Sequence, residues 1–308
     1  MLLRHAPSDH AGRVMSETPV ILVPLDGSDA SKSAWPAAQH IAEALGDARI
    51  DVVQVGDEAS IDEPALLATL QMTRAQLAGG HAIRRTGDIA TAITRTASEE
   101  RASLIVMSGQ GRDAHRDGRL GSTAAAVIQQ ATCPVLVVRP DMSDDRRTLG
   151  RLDHVLVPLD GSPAAAAAVP VSTAIGRHRV ADLDLLHVAT AGAGHPSDAG
   201  TLLGPRYLDA PHHEWPAWTR EFLRRFGPTR RTATGGHVRV HAAQGDPGDE
   251  IVRFAAAHDT DLIGLAWQQV LKPGRADVIK HLLNASPCPL LFVPAVAEPV
   301  INQGRGLS

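Results

Sequence analysis

The part of this chain with the clearest chemical meaning is a set of small residues around a fixed interval. It reads Ser108-Gly109-Gln110-Gly111, then nine residues from Arg112 to Leu120, then Gly121-Ser122. Glycine has no Cβ, so its backbone lets a ligand approach closely. The first N–H groups of a helix lack intrahelical partners, and the helix dipole favours an anion beside them. Ser122, just ahead of the helix expected over Thr123–Gln130, can cap that helix and can also offer its hydroxyl to a phosphate oxygen. The segment therefore has the make-up of a phosphate cradle, although a plain loop and helix cap would use the same glycines. Asp26 brings a second chemistry. When ionised it only accepts hydrogen bonds, which suits an amino group or sugar hydroxyls. It could equally be a turn former before Gly27.

These residues must be positioned by the elements around them, and those elements come twice. Ile21–Ser28 returns as Val155–Ser162 with seven of eight positions identical. A repeat of this length means duplicated domains rather than a solenoid. The expected boundaries are a disordered leader over 1–18, a first domain over 19–140, a charged linker over 141–151, a second domain over 152–295 and a tail over 296–308.

In the first domain, apolar runs predict strands at Val20–Leu25, Ile50–Val55, Ala82–Arg85, Leu104–Met107 and Val135–Val138. Helical spacing predicts Ser31–Leu45, Glu63–Leu77 and Asp88–Arg101 between them. The second domain follows the same order. Its expected strands are Val155–Leu159, Leu183–Val188, Val238–Ala242, Leu262–Leu265 and Leu290–Val293. Its expected helices are Ala164–Ile175, Trp218–Phe226, Asp249–His258 and Asp277–Leu283, with a long Gly/Pro/His-rich loop over Ala191–Pro216. Strands that are apolar throughout, alternating with helices, predict an α/β fold: two tandem open parallel sheets of Rossmann-like type, covered on both faces. Ligands of such sheets bind beyond the carboxyl ends of the strands, where Asp26, Val55 and the glycine segment meet.

Composition narrows the function. The chain has 308 residues, 44% hydrophobic and 21% charged, with only 3% aromatic, so its cores must be aliphatic. A net charge of −4 gives no reason to expect nucleic acid or an anionic membrane as partner. No run is long and apolar enough to span a membrane, and the first 18 residues lack a secretory apolar core, so the expected location is the cytoplasm. Cys133 and Cys288 each precede a proline and an apolar run, and read as small residues at a strand entrance.

Taken together, these motifs resemble the universal stress protein family. The resemblance rests on Val23-Pro24-Leu25-Asp26-Gly27-Ser28, on Gly87-Asp88 before the third helix, on the glycine segment, and on Cys133-Pro134-Val135-Leu136-Val137-Val138. It spans roughly Pro19 to Pro294. It implies an adenine-nucleotide site that takes ATP, with Mg2+ as its companion ion. Asp26 would contact adenine and ribose, with Pro24, Leu25 and Val55 lining the adenine pocket. Met107 and Ser108 would lie by the ribose, and Gly111, Gly121 and Ser122 would hold the phosphates, with Gly27 and Thr123 beside them. Ser108 stands where the family has glycine. The resemblance also implies that Val135–Val138 pairs with Leu290–Val293 as an intramolecular pseudo-dimer, with a further homodimer and an unidentified protein partner left open.

The second domain keeps Asp160 and Val188, but counting forward from its fourth strand gives Leu265-Ala266-Trp267-Gln268-Gln269, nine residues, and Ile279-Lys280 in place of the glycines. The expectation is a degenerate site, with Trp267 adding bulk to the loop and Lys280 as a solvated charge. Arg112, His115, Arg116 and Arg119 read as a solvated basic loop. His195, His212 and His213 lack metal-ligand spacing, and Trp215 and Trp218 read as cover for the sheet edge. No Gly-x-x-x-x-Gly-Lys-Ser/Thr loop is present, and no general base can be named. The reading is a nucleotide-sensing regulator of the stress response, with ATP in the first domain only and no catalysis beyond incidental hydrolysis. Two rivals stand beside it. One is an interaction module that binds no nucleotide. The other is an ATP-dependent transferase with the 191–216 loop as a substrate lid.

Overall fold

The computed structural model describes residues 18–46, 48–58, 61–111, 121–160, 165, 167–175, 181–189, 235–267 and 275–295. Its strands form one sheet in the order β3-β2-β1-β4-β5-β10-β9-β6-β7-β8. In the first half these are β1 (Val20–Pro24), β2 (Arg49–Val55), β3 (Ala82–Arg85), β4 (Leu104–Ser108) and β5 (Val135–Val138). In the second they are β6 (His154–Leu159), β7 (Asp182–Ala189), β8 (Val238–Gln244), β9 (Leu262–Trp267) and β10 (Leu290–Pro294). Within each half every pairing is parallel. All five residues of β1, and all of β4 and β5, are buried, as strands covered on both faces must be.

The halves join where β5 and β10 run antiparallel, Leu136 opposite Leu291 and Val135 opposite Phe292. This is the pairing the family resemblance implies. Both apolar layers cross the junction. Leu136, Val138, Leu291 and Val293 share one layer with Ile21, Val23 and Ile41. Val135, Val137, Leu290 and Phe292 share the other with Leu22, Ile105 and Met107.

Two expected helices are broken, each for a local reason. Ser31–Leu45 divides into α1 (Asp29–Lys32) and α2 (Trp35–Ala44). Pro36 has no N–H to give and would crowd the carbonyl four residues back, so it is seated in the first turn of a new helix. Glu63–Leu77 ends as α3 (Glu63–Leu70) at the left-handed Gln71, and a 3-10 turn follows over Arg74–Leu77. Thr73 and Gln76 form a capping box there, with the Thr73 N–H donating to Gln76 Oε1 at 2.7 Å.

The remaining helices among the described residues are α4 (Ile89–Glu99), α5 (Ser122–Gln130), α6 (Asp144–Arg147), α7 (Ala168–Ile175), α8 (Pro247–Ala257) and α9 (Arg275–Ala285). α6 lies within the charged 141–151 segment, which is not a bare connection. Arg146 Nη1 donates to the Thr260 and Pro287 carbonyls at 3.2 and 3.4 Å, and Leu149 is buried. Residues 1–17, 112–120, 190–234, 268–274 and 296–308 lie outside the described residues. With them lie the leader, the basic loop, the 191–216 loop with its histidines, Trp215, Trp218, the helix expected at 218–226, and the tail. No helix among the described residues is long and apolar enough to cross a membrane.

The junction sets an energetic expectation. Leu291 is fully buried on β10, so Leu291→Ala should cost about 2–5 kcal/mol in urea denaturation. Ile89, 48% exposed, is the control, and Ile89→Ala should stay within about 0.5 kcal/mol. Equal losses at the two positions would mean that the junction does not share the core.

Candidate functional site

β1 lies between β2 and β4, so the chain leaves it in one direction and returns on the other side. Such a reversal opens a crevice at the carboxyl ends of the strands. Asp26 lies two residues beyond the end of β1. Its Oδ1 accepts the Ser28 N–H at 2.8 Å and the Ser28 hydroxyl at 2.6 Å. This local turn bends the chain through Gly27, whose φ of +87° favours glycine. Ser28 then caps α1, accepting from the Ser31 N–H at 3.1 Å.

The glycine segment meets Asp26 across the crevice. A Cβ placed on Gly111 would lie 2.8 Å from Asp26 Oδ2. Gly109 N–H donates to Val138 at 2.7 Å, and Gly121 N–H donates to the Gly109 carbonyl at 2.8 Å. These bonds bring both ends of the 112–120 interval to the tip of β4. Gly121 takes the N-cap position in extended conformation and Ser122 is the first helical residue. No described side chain caps α5. Ser122 is therefore not the cap that its position suggested. By contrast, Asp62 caps α3 and Asp88 caps α4 through their carboxylates.

Ser108 departs from the family pattern without backbone strain. It lies in β4, and its φ is not among the positive ones. Its Oγ is buried behind the crevice, within 3.2 Å of both the Ser33 hydroxyl and the Gln110 N–H. The other expected residues divide between the faces of the sheet. Met107 and Val55 pack in the layer of α4 and α5, whereas Leu25 packs with Val23 and Trp35 in the layer of α1 and α2. Pro24, Asp26, Gly27, Gly111, Gly121, Ser122 and Thr123 all lie at the carboxyl end of the first half of the sheet or the start of α5.

Sequence reasoning passed over two polar residues here. Gln54 is 5% exposed, and its Nε2 would lie 4.0 Å from a Cβ on Gly27. Arg84 donates to Gln54 Oε1 and to the Glu58 carbonyl, and its guanidinium covers the Gly56 backbone. The available signal was the pair of arginines ending a short strand.

The second half repeats the frame with different contents. Pro158 lies opposite Leu186 as Pro24 lies opposite Val53, so Val188 corresponds to Val55 and His187 to Gln54. The helix register corrects the forward count. Ala124, Val127 and Ile128 are the buried face of α5, and Ile279, Leu282 and Leu283 are that of α9. Aligning these faces matches Ser122 to Asp277, each eleven residues before its cysteine, and not to Lys280. Lys280 is exposed on α9. Trp267 is the last residue of β9 and 2% exposed, so its bulk fills the core rather than the loop.

Burial and hydrogen bonding set the titration of nearby groups. The Cys133 and Cys288 thiols are pushed up by burial to about 11 and about 12, which makes both poor nucleophiles. Cys288 is buried and Cys133 half-buried. Among the described residues no group of three or more His, Cys, Asp or Glu could hold a metal.

Two successive parallel sheets of one strand order, each opening on the same Asp-Gly-ended strand and joined edge to edge, define a tandem-domain α/β protein. The chain belongs to the universal stress protein family, whose model matches residues 18–139 and 151–294. Universal stress protein YxiE of Bacillus subtilis (strain 168) is 30% identical over 145 residues, covering 39% of this chain and 97% of its own length. A universal stress protein of Thermus aquaticus, from the QAH/OAS sulfhydrylase 3' region, is 35% identical over 134 residues, again 39% of this chain and 97% of its own. Each relative is thus the length of one half. The solved universal stress protein from Archaeoglobus fulgidus DSM 4304 covers 91% of this chain and 97% of its own, with a TM-score of 0.61 and 19% identity, a likeness of fold.

His187 yields a pH expectation. Its Nδ1 lies 2.8 Å from the Leu159 carbonyl, and burial holds its pKa below the ordinary 6.5. The folded protein therefore resists protonating it, while the unfolded chain does not. Its contribution to stability is complete above pH 6.5 and declines as pH falls through 6.5 towards the lowered native value. His187→Gln, which installs the first half's residue, should flatten urea midpoints between about pH 5 and 7. An unchanged slope would show that His187 is not the source.

Proposed function

We propose that the protein binds ATP in its first domain and acts as a nucleotide-responsive regulator of the stress response, not as a catalyst. The observation that carries this reading is the N-terminus of α5, capped by no described side chain and joined through Gly109 to the glycine segment that meets Asp26. The first N–H groups of a helix and its dipole suit a phosphate chain, and the bare Gly111 lets the Asp26 carboxylate lie against its backbone. Asp26, beside Gly111, offers an acceptor to amino and hydroxyl groups in the same crevice. These residues fit an adenine nucleotide. Gly111, Gly121, Ser122 and Thr123 would hold its phosphates, while Pro24, Val55 and Met107 would face the base and ribose with Asp26. Leu25 would support them from the opposite layer. Mg2+ would enter with the phosphates. ATP supplies no chemical step in this reading. Its bound state is the signal, and a protein partner would read it.

Thermal unfolding with and without ATP tests the proposal. At a hundredfold excess over Kd, ATP should add about 2.7 kcal/mol of stability. Gly121→Asp should abolish the shift by placing a carboxylate at the anion position. Gly121 has φ −66°, and a Cβ there lies 3.4 Å from the Gly109 carbonyl, so the variant should fold. Gly111→Ala is the second variant, because its Cβ would crowd Asp26. No ATP shift in the unmutated chain would leave the nucleotide-free interaction module as the reading.

A further inference from the structure

The second half is not an empty copy of the first. A cavity of about 630 Å3 opens at the carboxyl ends of β6, β7 and β9, within the size range of small-molecule sites. Pro158, Leu159, Asp160, Val188, Leu265 and Ala266 line it. Position by position they are the counterparts of Pro24, Leu25, Asp26, Val55, Met107 and Ser108. Everything assigned to the base and sugar in the first half has an equivalent wall here.

The opposite end of the cavity has changed sign. Where Ser122 begins α5, Asp277 occupies the first turn of α9 and lines the cavity. Its carboxylate supplies from within the chain the negative charge that a helix N-terminus favours. Asp246 adds a second carboxylate, which also caps α8 by accepting the Asp249 N–H at 3.1 Å. His281 lines the same end and pairs with Asp249 at 3.2 Å. Among the described lining residues there is no Lys or Arg. A phosphate entering here would meet like charges, with His281 held in its pair with Asp249 and no described Lys or Arg to offset them. Carboxylates only accept hydrogen bonds, so the occupant must bring donors, while the remaining wall is apolar.

We infer that the second-domain cavity binds an unphosphorylated nucleoside and rejects the corresponding nucleotide. The base-and-sugar wall is kept and the phosphate end is closed by Asp277. This rests on the reading of the first domain as the nucleotide site, from which the roles of the matching residues are taken.

The test is isothermal titration calorimetry of the full chain held at saturating ATP, which occupies the first site, with adenosine and AMP as probes. The expected result is one adenosine bound per chain and at least about tenfold weaker binding of AMP. Asp160→Ala, at an exposed position, should weaken adenosine roughly tenfold. Asp277→Ser should reduce the preference for adenosine over AMP by about the same factor. No heat from adenosine, or AMP binding as tightly as adenosine, overturns the inference. Failure of ATP to bind the unmutated chain, measured first without adenosine, overturns the first-domain reading instead, and Asp160→Ala then tells whether adenosine lies in the second domain.

Discussion

The antiparallel pairing of β5 with β10 is the constraint from which the arrangement of the molecule follows. Each half ends on a strand whose outer edge would otherwise present unpaired N–H and C=O groups, a surface that invites uncontrolled pairing. Joining the two edges satisfies both and buries Leu136, Leu291 and Phe292 at the seam. Because every other pairing is parallel, this single reversal turns the strands of the second half against those of the first. The carboxyl ends of β1, β2 and β4 therefore face one border of the sheet, and those of β6, β7 and β9 face the other. The two crevices share a core but not a mouth, so the contents of one can change without obstructing the other.

The contents have changed unevenly. Asp51 on β2 and Asp184 on β7 hold the same buried position in register with Leu22 and Leu156. In the first half the carboxylate accepts from Arg49 and from the His81 N–H, and in the second it meets His241 Nε2 at 2.7 Å. A buried charge is tolerated when it is paired in this way, and the frame has kept it twice with different partners. At the strand ends the constraint is looser. Gln54 has become His187, Gly109 has become Trp267, and the serine that opens α5 has an aspartate as its counterpart. The wall kept as Leu159 and Val188 is also the top of the core. Ser122 and Asp277, both exposed, carry no such packing.

Much of this was legible in the residues alone. The strands were visible because burial on both faces makes them apolar throughout, and the Leu-Val-Pro-Leu-Asp-Gly-Ser repeat announced the duplication. Helix ends were less legible, because a single proline at 36 and the capping box at Thr73 interrupt an apolar spacing that runs on past them. The site was partly legible. The glycines and Asp26 could be named, but not that Ser108 would turn its hydroxyl behind the crevice, nor that Leu25 would pack on the opposite face. The second domain's Asp277 was missed because counting nine residues forward assumes a connection of equal length. Counting back from Cys288 would have found it, since the packed face of the helix, not the loop, preserves register.

The central claim is that two copies of one fold divide the labour unequally, with a nucleotide held in one crevice only. Equilibrium dialysis of the full chain against labelled ATP addresses it most directly. The account predicts saturation at one ATP per chain. Two per chain would contradict the unequal division, and none would contradict the site itself.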